Sequence, residues 1–199
     1  MISLSHIANV HSGLTFRGSL KQAGAGAVAA VQMKDIGDGV LDSPQGLARL
    51  NAADVPSRYL LGTGDLVFRS RGLDNSFALV TSSLEMATTI APMMFLRIHD
   101  HQRVWPAYLH WWLNRPAIRR LIDERAQGGT IRMIPGGALA DLPVDLPPME
   151  RQRAIVALAR LSQAESSLLH QIEQNRRAWL DAKLAALAAV APQNETQAP

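Results

Sequence analysis

The distribution of apolar and polar residues divides the chain into a region of short segments and one long helical stretch. Up to about residue 147, short apolar runs alternate with glycine-rich turns, which is typical of β-strands joined by tight connections. Pro147 and Pro148 then precede a proline-free stretch that continues to about Val190. Because proline is favoured in the first turn of a helix and excluded from its interior, this pair marks the start of the long helix.

Within the long stretch, apolar positions recur at alternating spacings of three and four residues. The stripe consists of Leu158, Leu161, Glu165, Leu168, Ile172, Asn175, Trp179, Ala182 and Ala186. This spacing is the seam of a coiled coil, narrower than the apolar stripe of a surface helix. We expect Leu158, Leu161, Leu168, Ile172, Asn175 and Trp179 to form a dimer or partner interface. Glu165 and Asn175 weaken the packing of such a seam but can fix its register.

Several shorter elements are predicted before this helix. We expect a short helix or a helix-to-strand entry over residues 4–13 and a mobile basic loop over 13–30. The predicted strands cover residues 28–36, 40–41, 66–68, 77–81, 90–98, 130–134 and 142–146. Helical spacing predicts helices over residues 51–61 and about 105–126, with a turn or helical turn at 136–140.

Together these elements predict an α+β fold in three parts. Residues 1–147 form a mixed β-rich domain with small helices, and residues 148–190 form one long coiled-coil helix. Residues 191–199 are polar and contain proline, so we expect a disordered tail.

Composition excludes several classes of protein. The sequence of 199 residues contains no cysteine, which excludes disulfide scaffolds and thiolate metal sites. No secretion signal is visible at the first residues, and no apolar run approaches the length of a membrane span. We therefore expect a cytoplasmic protein without a membrane partner.

Net charge and arginine content give only weak evidence for a nucleic-acid partner. The formal net charge is only +3, but arginine makes up all except three of the 20 basic residues. The planar guanidinium suits phosphate and guanine recognition because it donates two parallel hydrogen bonds. Genome base composition also enriches arginine, and the net charge is modest for binding DNA by electrostatics alone. Arginine usage therefore supports a nucleic-acid partner only in combination with other features.

No catalytic constellation is present. The sequence lacks a nucleophile elbow, a phosphate-binding loop and a zinc-protease motif. His99, Asp100 and His101 form the one histidine–aspartate cluster, and a metal-dependent enzyme based on them is an alternative. An exposed loop explains these residues better because no third ligand can be assigned from spacing. We predict a recognition module that is not an enzyme and needs no cofactor.

Basic side chains on or beside glycine-rich turns are the candidates for DNA contact. Arg69 and Arg71 alternate at the end of a predicted strand, so both can project from one face beside Gly72. Asn75 is a candidate for adenine contact. The full predicted DNA-binding set is Arg17, Lys21, Lys34, Arg69, Arg71, Asn75 and Arg132. For any single member, ordinary solvated charge is an equally good explanation.

Four stretches resemble the specificity (S) subunits of type I restriction-modification systems. They are Leu4-x-x-Ile-Ala-x-Val-x-x-Gly13, Val31-Gln-Met-Lys-Asp-Ile36, Gly64-Asp-Leu-Val-Phe-Arg-Ser-Arg-Gly72, and Gly129-Thr-Ile through Leu142-Pro-Val-Asp-Leu-Pro-Pro-Met-Glu-Arg-Gln152. The last is the most specific, because in this family the proline-rich segment and the following glutamine begin a spacer helix. The resemblance extends over about residues 1–190.

The resemblance implies sequence-specific DNA recognition by a target recognition domain that reads half of a split site. It also implies spacer helices that separate two such domains and dock methyltransferase (M) subunits, with a restriction (R) subunit as a further partner. A complete S subunit carries two domains and two spacer helices, whereas this sequence has one of each. The resemblance thus indicates a half-subunit that pairs with itself or with another half.

A protein-interaction or regulatory module is the main alternative function. In that hypothesis the coiled coil captures a partner without specific reading of DNA. Trp105, Trp111 and Trp112 keep it open, because aromatic residues are enriched at protein interfaces.

Overall fold

The computed structural model of the chain has two compact units, Met1–Val156 and the remainder from Ala157. The structure describes residues 1–18, 27–37, 39–41, 46–72, 75–81, 84, 86–128 and 132–189. A β-rich unit followed by a long C-terminal helix confirms the predicted α+β class.

The first unit contains short strands and short helices. The strands are β1 (Ile2–Ser3), β2 (Ala8–Ser12), β3 (Val28–Val31), β4 (Ile36–Gly37), β5 (Val40–Leu41), β6 (Ala48–Leu50), β7 (Leu66–Phe68), β8 (Phe77–Leu79), β9 (Ala87–Thr89), β10 (Met94–Ile98) and β11 (Pro143–Val144). The α-helices are α1 (Pro106–Leu113), α2 (Pro116–Glu124), α3 (Gly136–Ala140) and α4 (Met149–Ala188), whose first residues belong to this unit.

A four-stranded antiparallel sheet in the order β2-β10-β7-β8 lies at the centre of the unit. Strand alternation sends Leu96 of β10 to one face and Phe95 to the other. Leu96 packs into the largest core with side chains of α1, α2 and α3, including Tyr108 and Leu139. Phe95 packs into a second core. The sheet is therefore covered by apolar residues on both faces.

A second sheet, in the order β6-β3-β9, shares the second core with the first sheet. Its middle strand β3 is buried on both faces. Ala29 and Val31 of β3 pack into the core that contains Phe95, and Val28 and Ala30 pack into a third core with Leu50. Strands β3 and β9 are parallel, whereas β3 and β6 are antiparallel.

Gly13, which directly follows β2 of the first sheet, lies against the backbone at the end of β9 in the second sheet. Its N–H donates to the carbonyl of Met93 at 2.8 Å. A Cβ atom at this position would lie 2.8 Å from the carbonyl oxygen of Thr89 and 2.9 Å from the nitrogen of Ala91. Both are backbone atoms, so no side chain can move aside. The glycine that follows β2 is thus required by its close approach to the backbone of residues 89–91.

Two of the predicted helices are not continuous α-helices in the structure. The helix expected over residues 105–126 is divided into α1 and α2, because Pro116 opens a new helix and Arg115 before it is extended (φ −64°, ψ 141°). The helix expected over 51–61 consists of two 3₁₀ turns, Ala52–Asp54 and Ser57–Tyr59, on either side of Pro56. The proline explains both interruptions.

The strand predictions are partly confirmed. The strand over residues 66–68 and the hairpin of β4 and β5 are present as expected. The strand expected over 28–36 ends at Val31 and is followed by a 3₁₀ turn at Met33–Asp35. Strand β9 is absent from the predicted set, and β10 begins at Met94, after Pro92. Residues 130 and 131, which open the predicted strand at 130–134, lie outside the described residues.

The second unit comprises the rest of α4, and its large apolar side chains are exposed. The expected long helix is confirmed over Met149–Ala188. Its exposed large apolar residues are Leu158, Leu161, Leu168, Leu169, Ile172, Trp179, Leu180, Leu184 and Leu187. Among the helices that the structure describes, none combines the length and apolarity needed to cross a bilayer.

Candidate nucleic-acid interface

Two of the predicted DNA-contacting arginines lie in neighbouring backbone segments. Beyond the end of β7, Arg71 forms an antiparallel bridge with Met133, and the N–H of Ile134 donates to the carbonyl of Ser70 at 3.0 Å. Met133 also exchanges two hydrogen bonds of 2.8 Å with Gln127. The pairing brings Arg71 close to Arg132, which directly precedes Met133. Both arginine side chains are exposed.

Asp123, at the C-terminal end of α2, connects these segments to the helix. Its Oδ1 accepts a hydrogen bond of 2.9 Å from Nδ2 of Asn75. Its backbone carbonyl accepts one of 2.5 Å from Nη2 of Arg132. Asp123 therefore holds both the β7–β8 connection and the segment around Arg132. We call Arg71, Asn75, Asp123 and Arg132 the arginine edge.

Asn75 is turned inward, unlike its neighbours on the arginine edge. The residue is 5% exposed, and its buried Oδ1 has no hydrogen-bond partner in the described part of the chain. Its Nδ2 is already used by Asp123. Adenine contact by Asn75 stays a prediction, but in this arrangement its side chain joins the β7–β8 connection to α2 through the hydrogen bond to Asp123.

Arg69 and Lys34 both adjoin the hairpin of β4 and β5. Nη1 of the half-buried Arg69 donates to the carbonyl of Ile36 at 2.9 Å. Arg69 therefore fastens the start of the hairpin to the end of β7. Lys34 is exposed on the 3₁₀ turn just before Ile36. This turn is stabilised by a 2.8 Å hydrogen bond from the N–H of Gln32 to the carboxylate of Asp35. Of these two residues, Lys34 has the side chain better placed to meet a ligand in solvent.

Arg17 belongs to another part of the unit. It is exposed and follows Phe16, which packs against the third core. The arginine edge instead adjoins α2, whose residues belong to the largest core. Lys21 lies outside the described residues. Arg71 and Arg132 thus lie on bridged backbone segments, Arg69 bonds the segment that follows Lys34, and Arg17 lies beside a different core.

An ion pair at one end of the central sheet has no signature in the sequence. Arg97 of β10 makes two hydrogen bonds to Asp65, of 3.2 Å from Nε and 2.6 Å from Nη2, and Nη2 also donates to the carbonyl of Leu60 at 2.7 Å. The hydrogen bond to Asp65 raises the pKa of Arg97. Because the partners are 32 positions apart, only the sheet register could have revealed the pair.

His11 completes this group. Its ring stacks on Phe95, with centroids 4.8 Å apart, and the guanidinium of Arg97 lies 5.2 Å from the centroid of the same phenylalanine ring. Burial and the positive charge of Arg97 lower the pKa of His11, while the negative charge of Asp65 opposes them. The imidazole is consequently held toward its neutral form.

The beginning of α4 is anchored in the first unit by Gln152, which has no exposed surface. Its Oε1 accepts a hydrogen bond of 2.9 Å from the N–H of Trp105. Its Nε2 donates to the carbonyls of Arg103, at 2.7 Å, and Pro147, at 2.9 Å. An open groove of about 370 Å³ lies beside it, lined by Gln102, Arg103, Leu146, Pro147, Pro148 and Met149.

An aromatic group on α1 is the feature most compatible with a protein partner. Trp111 and Trp112 lie with ring centroids 6.2 Å apart, and Arg115 stacks on both, 5.3 Å and 4.6 Å from their centroids. Nε1 of Trp112 donates to the carbonyl of Pro143 at 3.0 Å. Tyr108 donates to the carbonyl of Asp145 at 2.6 Å, and burial raises its pKa to about 12. Trp111 remains partly exposed.

The histidine–aspartate cluster forms an exposed turn. Asp100 accepts a 2.8 Å hydrogen bond from the N–H of Gln102, so its carboxylate caps its own turn. Within the described residues, no three His, Cys, Asp or Glu side chains are grouped closely enough to hold a metal ion. The geometry offers no specific support for the alternative enzyme based on His99 and His101.

The fold is similar to that of known S subunits. An S subunit of the type I restriction-modification system from M. genitalium matches with a TM-score of 0.58 and 16% identity, covering 88% of this chain and 42% of that one. The HsdS subunit from Thermoanaerobacter tengcongensis matches with a TM-score of 0.63 and 20% identity, covering 86% and 45%. A chain from a study of complex assembly and conformational transition in the type I system matches with a TM-score of 0.69 and 19% identity, covering 91% and 42%.

At these identities the likeness concerns the fold, and at that level it confirms the resemblance inferred from sequence. The chain spans less than half the length of the solved subunits that it matches. No protein-family model matches the sequence, and no curated protein matches it.

Proposed function

We propose that this chain is a half-sized DNA specificity subunit of a type I restriction-modification system, without catalytic activity of its own. Its first unit binds duplex DNA and reads one half of a bipartite site. Its long helix pairs with a second copy or another half-subunit, and M subunits, with an R subunit as a further partner, assemble on the pair. Methyl transfer and cleavage belong to those partner chains.

The observation that carries this proposal is the extent of the fold similarity. The likeness covers 86–91% of this chain but only 42–45% of each S subunit. This chain has one β-rich unit and one long helix, which is the content expected of half a subunit. Two such chains would supply the length of one complete subunit.

The exposed arginines of the first unit support a DNA partner. Arg71 and Arg132 project from paired backbone segments, and Asp123 fixes one of them by a hydrogen bond to its guanidinium. Arginines held on a rigid framework lose little conformational freedom on binding, which favours contact with guanine edges or phosphates. Lys34 is a further exposed cation near the hairpin.

The exposed seam of α4 supports pairing through the helix. Leu158 and Leu161 are each 69% exposed, and Trp179 is 61% exposed. A helix in water does not normally leave such residues uncovered at coiled-coil spacing, so a partner helix is the natural occupant. The groove beside Gln102 and Met149 offers an additional surface for an M subunit.

The proposal is tested by selecting bound sequences from random duplex DNA, with the purified chain alone and with its M subunit. We expect enrichment of a bipartite motif and tighter binding when the M subunit is present. Affinity should fall steeply with salt, because phosphate contacts release counterions. Enrichment of no motif under either condition would refute the assignment.

The second candidate, a protein-interaction module, is favoured by the group formed by Trp111, Trp112 and Arg115. Substituting Trp111 by alanine separates the two functions. If DNA selection is unchanged while a protein partner is lost, the aromatic group serves protein binding. DNA retention that does not depend on salt would favour the interaction module as the main function.

A further inference from the structure

The seam of α4 contains two polar residues whose hydrogen bonds a second copy of the chain can complete in one arrangement. Glu165 and Asn175 both lie on the seam and are exposed. Within the described part of the chain, neither Glu165 nor Arg176 forms an ion pair. By contrast, Glu173 and Arg177 pair with each other along the helix, away from the seam. The charge of Glu165 is therefore available to a partner.

The seam has two classes of position, which alternate along the helix. Leu158, Glu165, Ile172, Trp179 and Ala186 occupy one class, and Leu161, Leu168, Asn175 and Ala182 occupy the other. Parallel helices in register place each residue against its own copy, whereas antiparallel helices place one class against the other. Only a limited set of registers, each one heptad from the next, keeps the seams in contact.

Parallel pairing in register is disfavoured by Glu165. It would bring two copies of this carboxylate together at the centre of the interface, where like charges are strongly repelled. It would also place each Asn175 against the other, with no charged group to share its hydrogen bonds. The exposed cation Arg176 would lie away from Glu165 of the second copy, because the two positions are eleven residues apart along the helix.

We infer the register of the paired helices: a second copy lies antiparallel, with its Asn175 opposite Glu165 of the first. This inference rests on the pairing in the proposed function and adds the register to it. The same register sets Leu161 opposite Trp179, Leu168 opposite Ile172 and Leu158 opposite Ala182. Apolar residues thus meet apolar residues, and the one charged seam residue meets an amide donor. Arg176, adjacent to Asn175 on the flank, adds charge complementarity to Glu165.

In the neighbouring antiparallel registers, Glu165 and Asn175 no longer face each other. A shift of one heptad in one direction places Asn175 opposite Ile172 and Glu165 opposite Ala182. A shift in the other direction places Glu165 opposite Leu168 and Asn175 opposite Leu158. In both cases each polar group faces an apolar residue, and burying it without a partner is unfavourable. Polar matching therefore selects one register among the antiparallel alternatives.

Cysteine cross-linking tests the register directly, because the full-length chain contains no cysteine. We expect the double variant Leu161→Cys/Trp179→Cys to form a covalent dimer with a short thiol cross-linker. The matched control Leu168→Cys/Trp179→Cys reports the neighbouring register and should remain largely uncross-linked. Cross-links within one helix are excluded, since residues 161 and 179 are about 27 Å apart along its axis.

Charge reversal provides an independent measurement. Glu165→Lys should weaken self-association by about tenfold or more, because the introduced ammonium group would face Arg176 of the second copy. Adding Arg176→Glu should restore the pairing, and circular dichroism checks that the helix is retained. Failure of the second substitution to restore the dimer would overturn the register.

The outcomes separate the inference from the proposed function. A dimer by light scattering that cross-links only through the control pair refutes the register but keeps self-pairing. A chain that remains monomeric at micromolar concentration and does not cross-link refutes pairing with a second copy. DNA selection, measured separately, decides the specificity role in either case.

Discussion

Asn75 and Asp123 are joined by a 2.9 Å hydrogen bond across 48 positions of sequence. The bond connects the end of the β7–β8 connection to the last turn of α2. Arg132 binds the backbone carbonyl of the same aspartate. Asp123 therefore both holds Asn75 in place and positions the exposed Arg132.

We expect Asp123→Ala to lower the free energy of unfolding by about 1–3 kcal/mol, because it leaves the buried amide of Asn75 without its acceptor. Asp123→Asn retains an acceptor oxygen and should cost less. Urea denaturation of both variants measures the difference. Equal stability of Asp123→Ala and the wild-type protein would show that the hydrogen bond contributes nothing.

For Arg71→Ala and Arg132→Ala, we expect weaker DNA binding, by about 1–3 kcal/mol for an arginine that reads a base. An arginine that contacts phosphate should instead reduce the salt slope by about one. Fluorescence anisotropy at several salt concentrations distinguishes the two roles. Arg177→Ala, which removes the same charge from the second unit, is the control and should leave the affinity of an isolated chain nearly unchanged.

Gln152→Ala should be among the more damaging changes on α4. The substitution removes three hydrogen bonds and leaves the N–H of Trp105 and two carbonyls without their partner in a buried position. A loss of about 3 kcal/mol is expected from the desolvation of these groups. Gln163→Ala, at an exposed position of the same helix, should change stability by less than about 0.5 kcal/mol. Thermal or urea melts compare the two.

The contact between the sheets at Gly13 predicts a large effect for a single methyl group. Gly13→Ala should destabilise the protein by about 1–3 kcal/mol, because the added Cβ overlaps backbone atoms of Thr89 and Ala91. Gly137→Ala in α3 meets no atom within 4 Å and should be neutral or stabilising by up to about 1 kcal/mol. Similar effects for both glycines in denaturation would contradict the packing argument.

Acidification should weaken the fold through His11. Its pKa lies below the ordinary value in the folded protein, so the unfolded chain takes up a proton first as the pH falls below about 6.5. The free energy of unfolding therefore decreases between the unfolded and the folded pKa. His11→Gln should remove this component, whereas His6→Gln, at an exposed position, should keep it. Urea melts from about pH 5 to about pH 8, the range in which histidine changes charge, measure the difference.

The long helix and the central strands could be predicted because local patterns determine them. The heptad spacing and the Pro147-Pro148 pair locate α4, and a short apolar run between turns locates β7. The division of the helix after Asn114 follows from Pro116, whose effect outweighs the apolar periodicity. Strand β9 escaped prediction because its sequence, Ala-Thr-Thr, is only mildly apolar, and its burial results from pairing with β3.

The candidate site was predictable in composition but not in arrangement. Alternation along a strand predicts that Arg69 and Arg71 both project outward from its end. The structure leaves Arg71 exposed and ties Arg69 to the carbonyl of Ile36, a contact across 33 positions. Asn75, a candidate for contact with a base, is likewise buried. Tertiary hydrogen bonds decide both outcomes, and residue type alone carries no information about them.

The anchoring of Gln152 and Val156 in the first unit has a consequence for domain exchange. A hybrid that joins the first unit to a different helix at the Pro147-Pro148 boundary would discard both residues and expose the apolar surface that Val156 covers. A junction placed after Val156 would carry the whole anchor with the donor. Exchange of the first unit between chains of this fold should therefore succeed when the crossover falls inside the helix, about two turns after its start.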